Sequence, residues 1–292
     1  MSEADQMAKL AAVQRARLFD RLGDTVGLVL SSDRRSKAWL TGYASMMHDV
    51  APEARSVVLA TRDRYALVTT AADAGPAMER LGSEVPISRY GTFYFTQSPG
   101  LGPSPFAAPA HVDFDTAFLA ALTAFLDQGV AGNVGVERLE DGVVWTLCQE
   151  KLGPTRVVDI TAEIQELREI KTEGEVALIS SAARLVEAGF SEVTRQLRPG
   201  MTEHDLAAIM TEQMVRGGGV PRFVSVTSAE RSALADAYPT ARIIRPGDTI
   251  RIDAGCTVGG YWSDLARTLV LGRPDVRQMA TYAALLQGLE GL

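Results

Sequence analysis

Two cysteines and three histidines are all that the 292 residues offer of the softer metal ligands, and their placing excludes several chemistries. Cys148 and Cys256 are too few and too far apart for a disulfide framework or a thiolate metal site. His48, His111 and His204 are scattered, so no His-Glu-x-x-His helix or similar cluster is encoded. Positive charge is short as well. Lys and Arg number 29 against 36 Asp and Glu, a net charge of −7, and no basic stripe with interleaved aromatics occurs. That excludes nucleic acid as an expected partner. No apolar run nears the roughly 18 residues of a membrane span. The first residues, MSEADQMAKL, are acidic and polar where a signal peptide is basic and then apolar. The expectation is a cytoplasmic protein with no membrane partner. What remains is ordinary for a globular chain, 46% hydrophobic and 22% charged, with a length that suits two domains.

The first part alternates strand and helix signals. Asp5 to Leu22 has apolar residues at helical spacing, and Thr25 to Ser31 is a short apolar run that reads as a buried strand. Ser36 to Tyr43 reads as a short helix stopped by Gly42. Ser56 to Thr61 and Tyr65 to Thr70 flank a charged turn and read as a hairpin. Ala71 to Leu81 is helical, and Glu84 to Ser88 a short strand. Tyr90 to His111 carries four prolines and three glycines and reads as a long loop, an irregular cover over the first sheet or else a surface for substrate or a partner. Phe114 to Gln128 is a helix capped by Asp113 or Asp115, Asn133 to Glu137 a strand, Gly142 to Leu152 a helix, and Arg156 to Ile160 a strand. The acidic run Glu137 to Asp141 reads as a solvated turn. This is an α/β pattern with a mixed sheet over residues 1–160.

From 161 to 292 the pattern changes. Glu163 to Leu197 is nearly all helical, broken near Lys171 to Gly174, and Pro199-Gly200 stops it. Thr202 opens another helix, with Asp205 in the acidic place of a capping box; His204 reads as its surface. Gly217-Gly218-Gly219 is a turn, because no strand precedes it and no helix starts there, as a phosphate cradle requires. Pro221 to Thr227 and Ile243-Ile244 are strand-like. Arg245-Pro246-Gly247-Asp248 has the proline and glycine of a type II turn. The last segment, with Val276, Met279, Tyr282, Ala283, Leu286 and Leu289 apolar, reads as an amphipathic helix that needs a partner.

Between them lies the stretch that carries chemistry, Asp248 to Thr268, DTIRIDAGCTVGGYWSDLART. Apolar alternation marks a strand on each side of Thr257-Val258-Gly259-Gly260, where glycine reaches the positive φ of a tight reversal. If the turn centres on Val258-Gly259, Asp253 lies directly opposite Asp264, with Cβ atoms roughly 4.5–5.5 Å apart. Two carboxylates that close repel, so one keeps a proton or a cation sits between them. A hard divalent cation bridged by carboxylate oxygens meets that need. Neutralisation by Arg251 or Arg267 is the plainer alternative. Tyr261 and Trp262 read as core, and Cys256 as a small buried filler.

Four segments, Leu167 to Glu175 (LREIKTEGE), Arg198 to Leu206 (RPGMTEHDL), Pro246 to Asp253 (PGDTIRID) and Gly260 to Thr268 (GYWSDLART), resemble in order and spacing the signatures of the creatinase and Xaa-Pro aminopeptidase (M24) metallohydrolases. Leu40-Thr41-Gly42-Tyr43 is similar to their amino-terminal domain. The resemblance implies an α/β protein of two domains, a creatinase-like mixed α/β domain over 1–160 and an incomplete "pita-bread" α+β domain over 161–292. It implies a centre of two divalent ions (Mn, Co or Zn) held by two aspartates, a histidine and two glutamates. Asp253 falls on the position of a ligand to one ion, and Asp264 on the bridging position. The histidine and glutamates belong beyond Leu292, so the expectation is a C-terminally truncated member. Asp236, in Ala235-Asp236-Ala237-Tyr238-Pro239-Thr240, stands where the family has a substrate-binding histidine. An ionised aspartate cannot donate the imidazolium hydrogen bond. The implied activity is hydrolysis of a C–N bond in a peptide or small amide or amidino compound, by a homodimer. The alternative is a non-catalytic homologue acting as a dimerisation or binding module.

Overall fold

The computed structural model describes residues 3–93, 109–138 and 142–291. The chain divides into two compact units at Gly174/Glu175.

In the first unit, α1 (Glu3–Leu22), β1 (Val26–Ser31), α2 (Arg34–Thr41) and the single turn α3 (Met47–Val50) lead into the hairpin β2 (Val57–Ala60) and β3 (Tyr65–Thr70). α4 (Ala71–Leu81), β4 (Ile87–Tyr90), α5 (Phe114–Asp127), β5 (Asn133–Val136), α6 (Val143–Leu152), β6 (Val157–Asp159) and α7 (Thr161–Glu169) complete it. The sheet is six-stranded and mixed, in the order β4-β3-β2-β1-β5-β6. Its strands read as apolar runs because both faces are covered. Leu28 and Leu30 point to α5, against Phe118, Leu122 and Phe125. Val29, between them, points the other way, to Leu18 and Phe19 of α1 and Trp39 and Leu40 of α2. Full burial of a ring such as Phe118 contributes about 1.5–3 kcal/mol.

Three expectations need correction here. The strand expected at Glu84 to Ser88 starts later, because parallel pairing to β3 begins at Leu67↔Ile87. Glu137 is not on a solvated turn. It is 4% exposed and accepts hydrogen bonds from Ser31 Oγ and, at 2.9 Å, Ser36 Oγ, because it follows β5 directly into the sheet's end. The compact unit also extends past residue 160. Ile164 of α7 is fully buried with the α1 and α2 side chains, and Arg17 donates to the Leu167 and Ile170 carbonyls. The loop expected from Tyr90 to His111 lies mostly outside the described residues. Its ends are joined, with His111 N donating to Arg89 O at 2.8 Å.

The second unit opens with α8 (Glu173–Gln196) and α9 (Glu203–Arg216), followed by β7 (Val220–Ser228), β8 (Thr249–Val258), the two-residue β9 (Tyr261–Trp262), β10 (Leu265–Val270) and α10 (Val276–Glu290). The capping box at Thr202 and Asp205 forms as expected. β8 is the central strand, between β10 and β7, with β9 continuing the β10 side. Ile250, Ile252, Ala254 and Cys256 turn one face of it to Val186, Phe190, Leu206 and Met210 of the two helices. The type II turn forms, with Gly247 at φ +86° and Asp248 N on Arg245 O at 3.0 Å. Ile243-Ile244 is not a strand but a single bridge, Thr202↔Ile243. α10 keeps no residue buried, and Val276, Met279, Tyr282 and Leu289 are at least 60% exposed. Gln278 anchors its start, donating to Gly247 O and Thr249 Oγ1.

Candidate metal centre

The hairpin that carries the two aspartates reverses one residue later than the sequence expectation. Val258 pairs with Tyr261, so Gly259 and Gly260 make the turn, at φ +57° and +83°. Positive φ at both positions is the requirement of a type I′ turn, which two glycines meet without steric cost. The expected Asp253–Asp264 opposition is therefore replaced: Asp253 lies opposite Ala266. The slip moves every pairing by two residues, so the faces are kept. Asp264 becomes the diagonal neighbour of Asp253 on the same face, a spacing of roughly 7–8 Å between backbones. Gly255 makes room for the crossing. A Cβ there would meet Ser263 O at 2.3 Å and the Phe223 ring at 2.4 Å.

Side chains close what the register leaves open. The Asp264 carboxyl comes within hydrogen-bonding reach of Asp253, and Asp236 acts on it at longer range. Asp236 sits at φ +52°, a left-handed conformation that aspartate tolerates better than most residues. Its loop is pinned beside the site, because Ser225, the β7 partner of Asp253, donates to Ala237 O at 2.8 Å. All three predicted site residues are thus brought together. Asp236 and Asp264 are exposed and Asp253 is half-buried.

Burial, and then repulsion from Asp264 and Asp236, pushes the Asp253 carboxyl up against the pull of Arg251. Arg251 Nη2 donates to Asp253 Oδ2 at 2.6 Å. The other oxygen, Oδ1, is buried and receives no hydrogen bond, and the same holds for Arg251 Nη1 as a donor. A buried acceptor left unmet costs about 1–3 kcal/mol, more when it is charged. The donor set is oxygen from carboxylates only, which suits a hard divalent cation. On that orphaned oxygen the residues present fit a metal, with Asp253 and Asp264 as the groups that would hold it. Among the described residues no group of three or more His, Cys, Asp and Glu is arranged as a full ligand set.

One buried carboxylate near the site escaped the sequence reading. Glu203 is fully buried, and it accepts from Ser228 N and Oγ, Thr240 N and Oγ1, and Arg231 Nε. It thereby ties both ends of the segment that carries Asp236. Its signal was its stripe: Glu203, Leu206 and Met210 fall on one face of α9. His204, one residue on, is exposed as expected, with Nε2 3.0 Å from Pro239 O. Tyr261 and Trp262 are not core. Trp262 is 49% exposed under the Arg222 guanidinium, and Tyr261 Oη donates to Glu175 at 3.1 Å. Cys256 is fully buried, as expected of a filler.

On this α/β scaffold three carboxylates therefore gather around one unmet acceptor. Residues 177–292 match metallopeptidase family M24. It is 28% identical over 161 residues to a Xaa-Pro dipeptidase of Pyrococcus furiosus, covering 54% of this chain and 44% of that protein. It is 34% identical over 127 residues to a probable dipeptidase of Mycobacterium bovis, covering 43% and 34%. The matched stretches thus span less than half the length of these relatives. Among solved structures, an X-Pro aminopeptidase from Thermotoga maritima superimposes with a TM-score of 0.71 at 21% identity, over 96% of this chain and 70% of that one. A prolidase from Pyrococcus horikoshii gives 0.64 at 21% identity, over 96% and 70%. These likenesses show the pita-bread-like fold. Among the described residues no helix is long and apolar enough to cross a membrane.

Proposed function

We propose that this chain carries part of the metal centre of a peptide hydrolase acting on the C–N bond of a Xaa-Pro peptide or a small amide or amidino compound. The observation that carries the reading is the buried, unmet Oδ1 of Asp253 beside the Asp264 carboxyl. In it, Asp253 and Asp264 hold divalent metal (Mn, Co or Zn). Metal bound there would supply a water of lowered pKa and a polarised carbonyl. The chain's own part is positional. β8 fixes Asp253, the Gly259-Gly260 turn aims Asp264, and Glu203 holds the Asp236 segment beside them. Asp236, exposed and next to the pair, faces substrate in this reading, and as an acceptor it selects a donor such as an amine or amidine N–H. The protein works as a homodimer, within the cytoplasm.

A second reading, a non-catalytic binding or dimerisation module, draws support from Arg251, whose guanidinium already neutralises Asp253. Metal analysis after equilibration with Mn²⁺ separates the two. The hydrolase reading expects bound metal that Asp253→Ala removes. Unchanged stoichiometry in that variant overturns the assignment, and no bound metal in either protein favours the binding module.

A further inference from the structure

Lys37 of α2 is the least expected side chain in the first unit. It is 4% exposed, and lysine is almost never buried that far unless it is paired with an opposite charge. Its acceptors are both neutral: Nζ donates to Ser56 O at 3.1 Å and to Ser56 Oγ. An ammonium carries three donors, so one is left over. The carboxylates that act on it at longer range are Asp73, Asp33 and Glu137, and each is engaged elsewhere. Tyr43, Ser45 and Thr69 donate to Asp73. Asp33 caps α2 and pairs with Arg35 and Arg168. Ser31 and Ser36 donate to Glu137. Burial lowers the Lys37 ammonium to about 8, against the pull of those distant carboxylates.

This cation does not face solid protein. Lys37 and Ser56 line a cavity of about 570 Å³, within the roughly 300–1,000 Å³ of small-ligand sites. Phe114, Val143 and Val144 form an apolar part of its wall. Arg34 and Arg55, both exposed, also line it, and among the described lining residues Glu53 is the acid not used in capping or pairing. His48 adds no positive charge at neutral pH, since burial and then the repulsion of Lys37 hold its imidazole below the ordinary value. Among the described residues, the groups gathered here are a buried cation with no carboxylate in direct contact, a hydroxyl, two guanidinium groups and an apolar wall. A compact inorganic anion would leave the apolar wall unused.

We propose that this cavity binds a small organic carboxylate, its charged end on Lys37 and Ser56 and its apolar body on Phe114, Val143 and Val144. The site belongs to the first unit and is independent of the metal reading.

Calorimetric titration of the full chain tests it, with phenylacetate, its uncharged twin phenylacetamide, and inorganic phosphate as probes. Phenylacetate should bind at least about tenfold tighter than phenylacetamide, and Lys37→Met should lose that preference. Affinity for phenylacetate should fall as pH rises above about 8, as Lys37 gives up its proton, while His48, held below its ordinary value, adds no charge of its own. The proposal is overturned by no phenylacetate binding at about 10 mM, by equal affinity for the amide, or by unchanged binding in a folded Lys37→Met chain. Phosphate binding in place of phenylacetate overturns it too. If Lys37→Met does not fold, the pH profile of the unaltered chain decides, and a flat profile contradicts the site.

Discussion

Two carboxylates of the second unit, fifty positions apart in the sequence, are opposites. Glu203 has both oxygens met, by two backbone amides, two hydroxyls and Arg231. Asp253 has one oxygen on Arg251 and one on nothing, with two further acids close by. The first arrangement holds the chain in place. The second leaves one carboxylate oxygen without a partner, which costs the fold something to keep. Burial raises both carboxyls, but hydrogen bonds outweigh it at Glu203 and hold that group below its ordinary value. At Asp253 the repulsion of its neighbours adds to burial, and the value rises. One fold therefore uses the same chemical group as a fastener and as an open site.

The comparison breaks most visibly at Glu203. Glu203→Ala leaves five donors without their acceptor, two of them buried and three half-buried, and it should cost about 3–5 kcal/mol, read as a fall in the denaturant midpoint. A loss under about 1 kcal/mol would mean that solvent replaces the carboxylate and the segment is not fastened there. Gly260→Ala forces an L side chain into the left-handed turn at φ +83° and should cost about 1–2 kcal/mol in the same assay. Arg251→Gln removes the cation that competes for Asp253, and Mn²⁺ affinity should rise about tenfold, near 1.4 kcal/mol. An unchanged affinity would show that Arg251 does not compete.

The smallest effect is in the pH dependence, and there the two carboxylates should act with opposite sign. A carboxyl held below its ordinary value stabilises the fold above that value and loses its contribution as pH falls through the folded one. Glu203→Gln should therefore flatten the acid side of the stability profile. A carboxyl held above its ordinary value binds its proton more tightly in the folded state, so stability falls as pH rises from the ordinary carboxylate range through the raised value. Asp253→Asn should flatten that fall instead. Melting curves across acid and neutral pH read both slopes.

Much of this was legible in the residues. Period-two alternation in Asp248 to Ala254 and Leu265 to Val270 put Asp253 and Asp264 on one face, and that face survived the change of register. The turn centre was not legible from strand patterning, since two adjacent glycines permit neighbouring reversals; φ at Gly259 and Gly260 decides it. Glu203 and Lys37 were missed for a shared reason. Their partners lie 25 to 37 and 19 positions away, so neither network has a local signature. Each does sit on the buried stripe of its helix, Glu203 with Leu206 and Met210, Lys37 with Leu40 and Thr41. A charge on an apolar stripe is the signal to look for. The solvated turn assigned at Glu137 failed on the same point, because its burial depends on Ser31 and Ser36, a hundred residues earlier.

Asp253 Oδ1, the oxygen that Arg251 leaves unmet, is where a second cation would bind. Thermal melting of the unaltered chain and of Asp253→Asn, at neutral pH with Mn²⁺ added stepwise, asks this directly. The predicted result is that Mn²⁺ raises the melting temperature of the unaltered chain and leaves Asp253→Asn unmoved, because a ligand that binds only the folded state stabilises it by mass action. Equal shifts in the two proteins, or none in the unaltered chain, would contradict the claim.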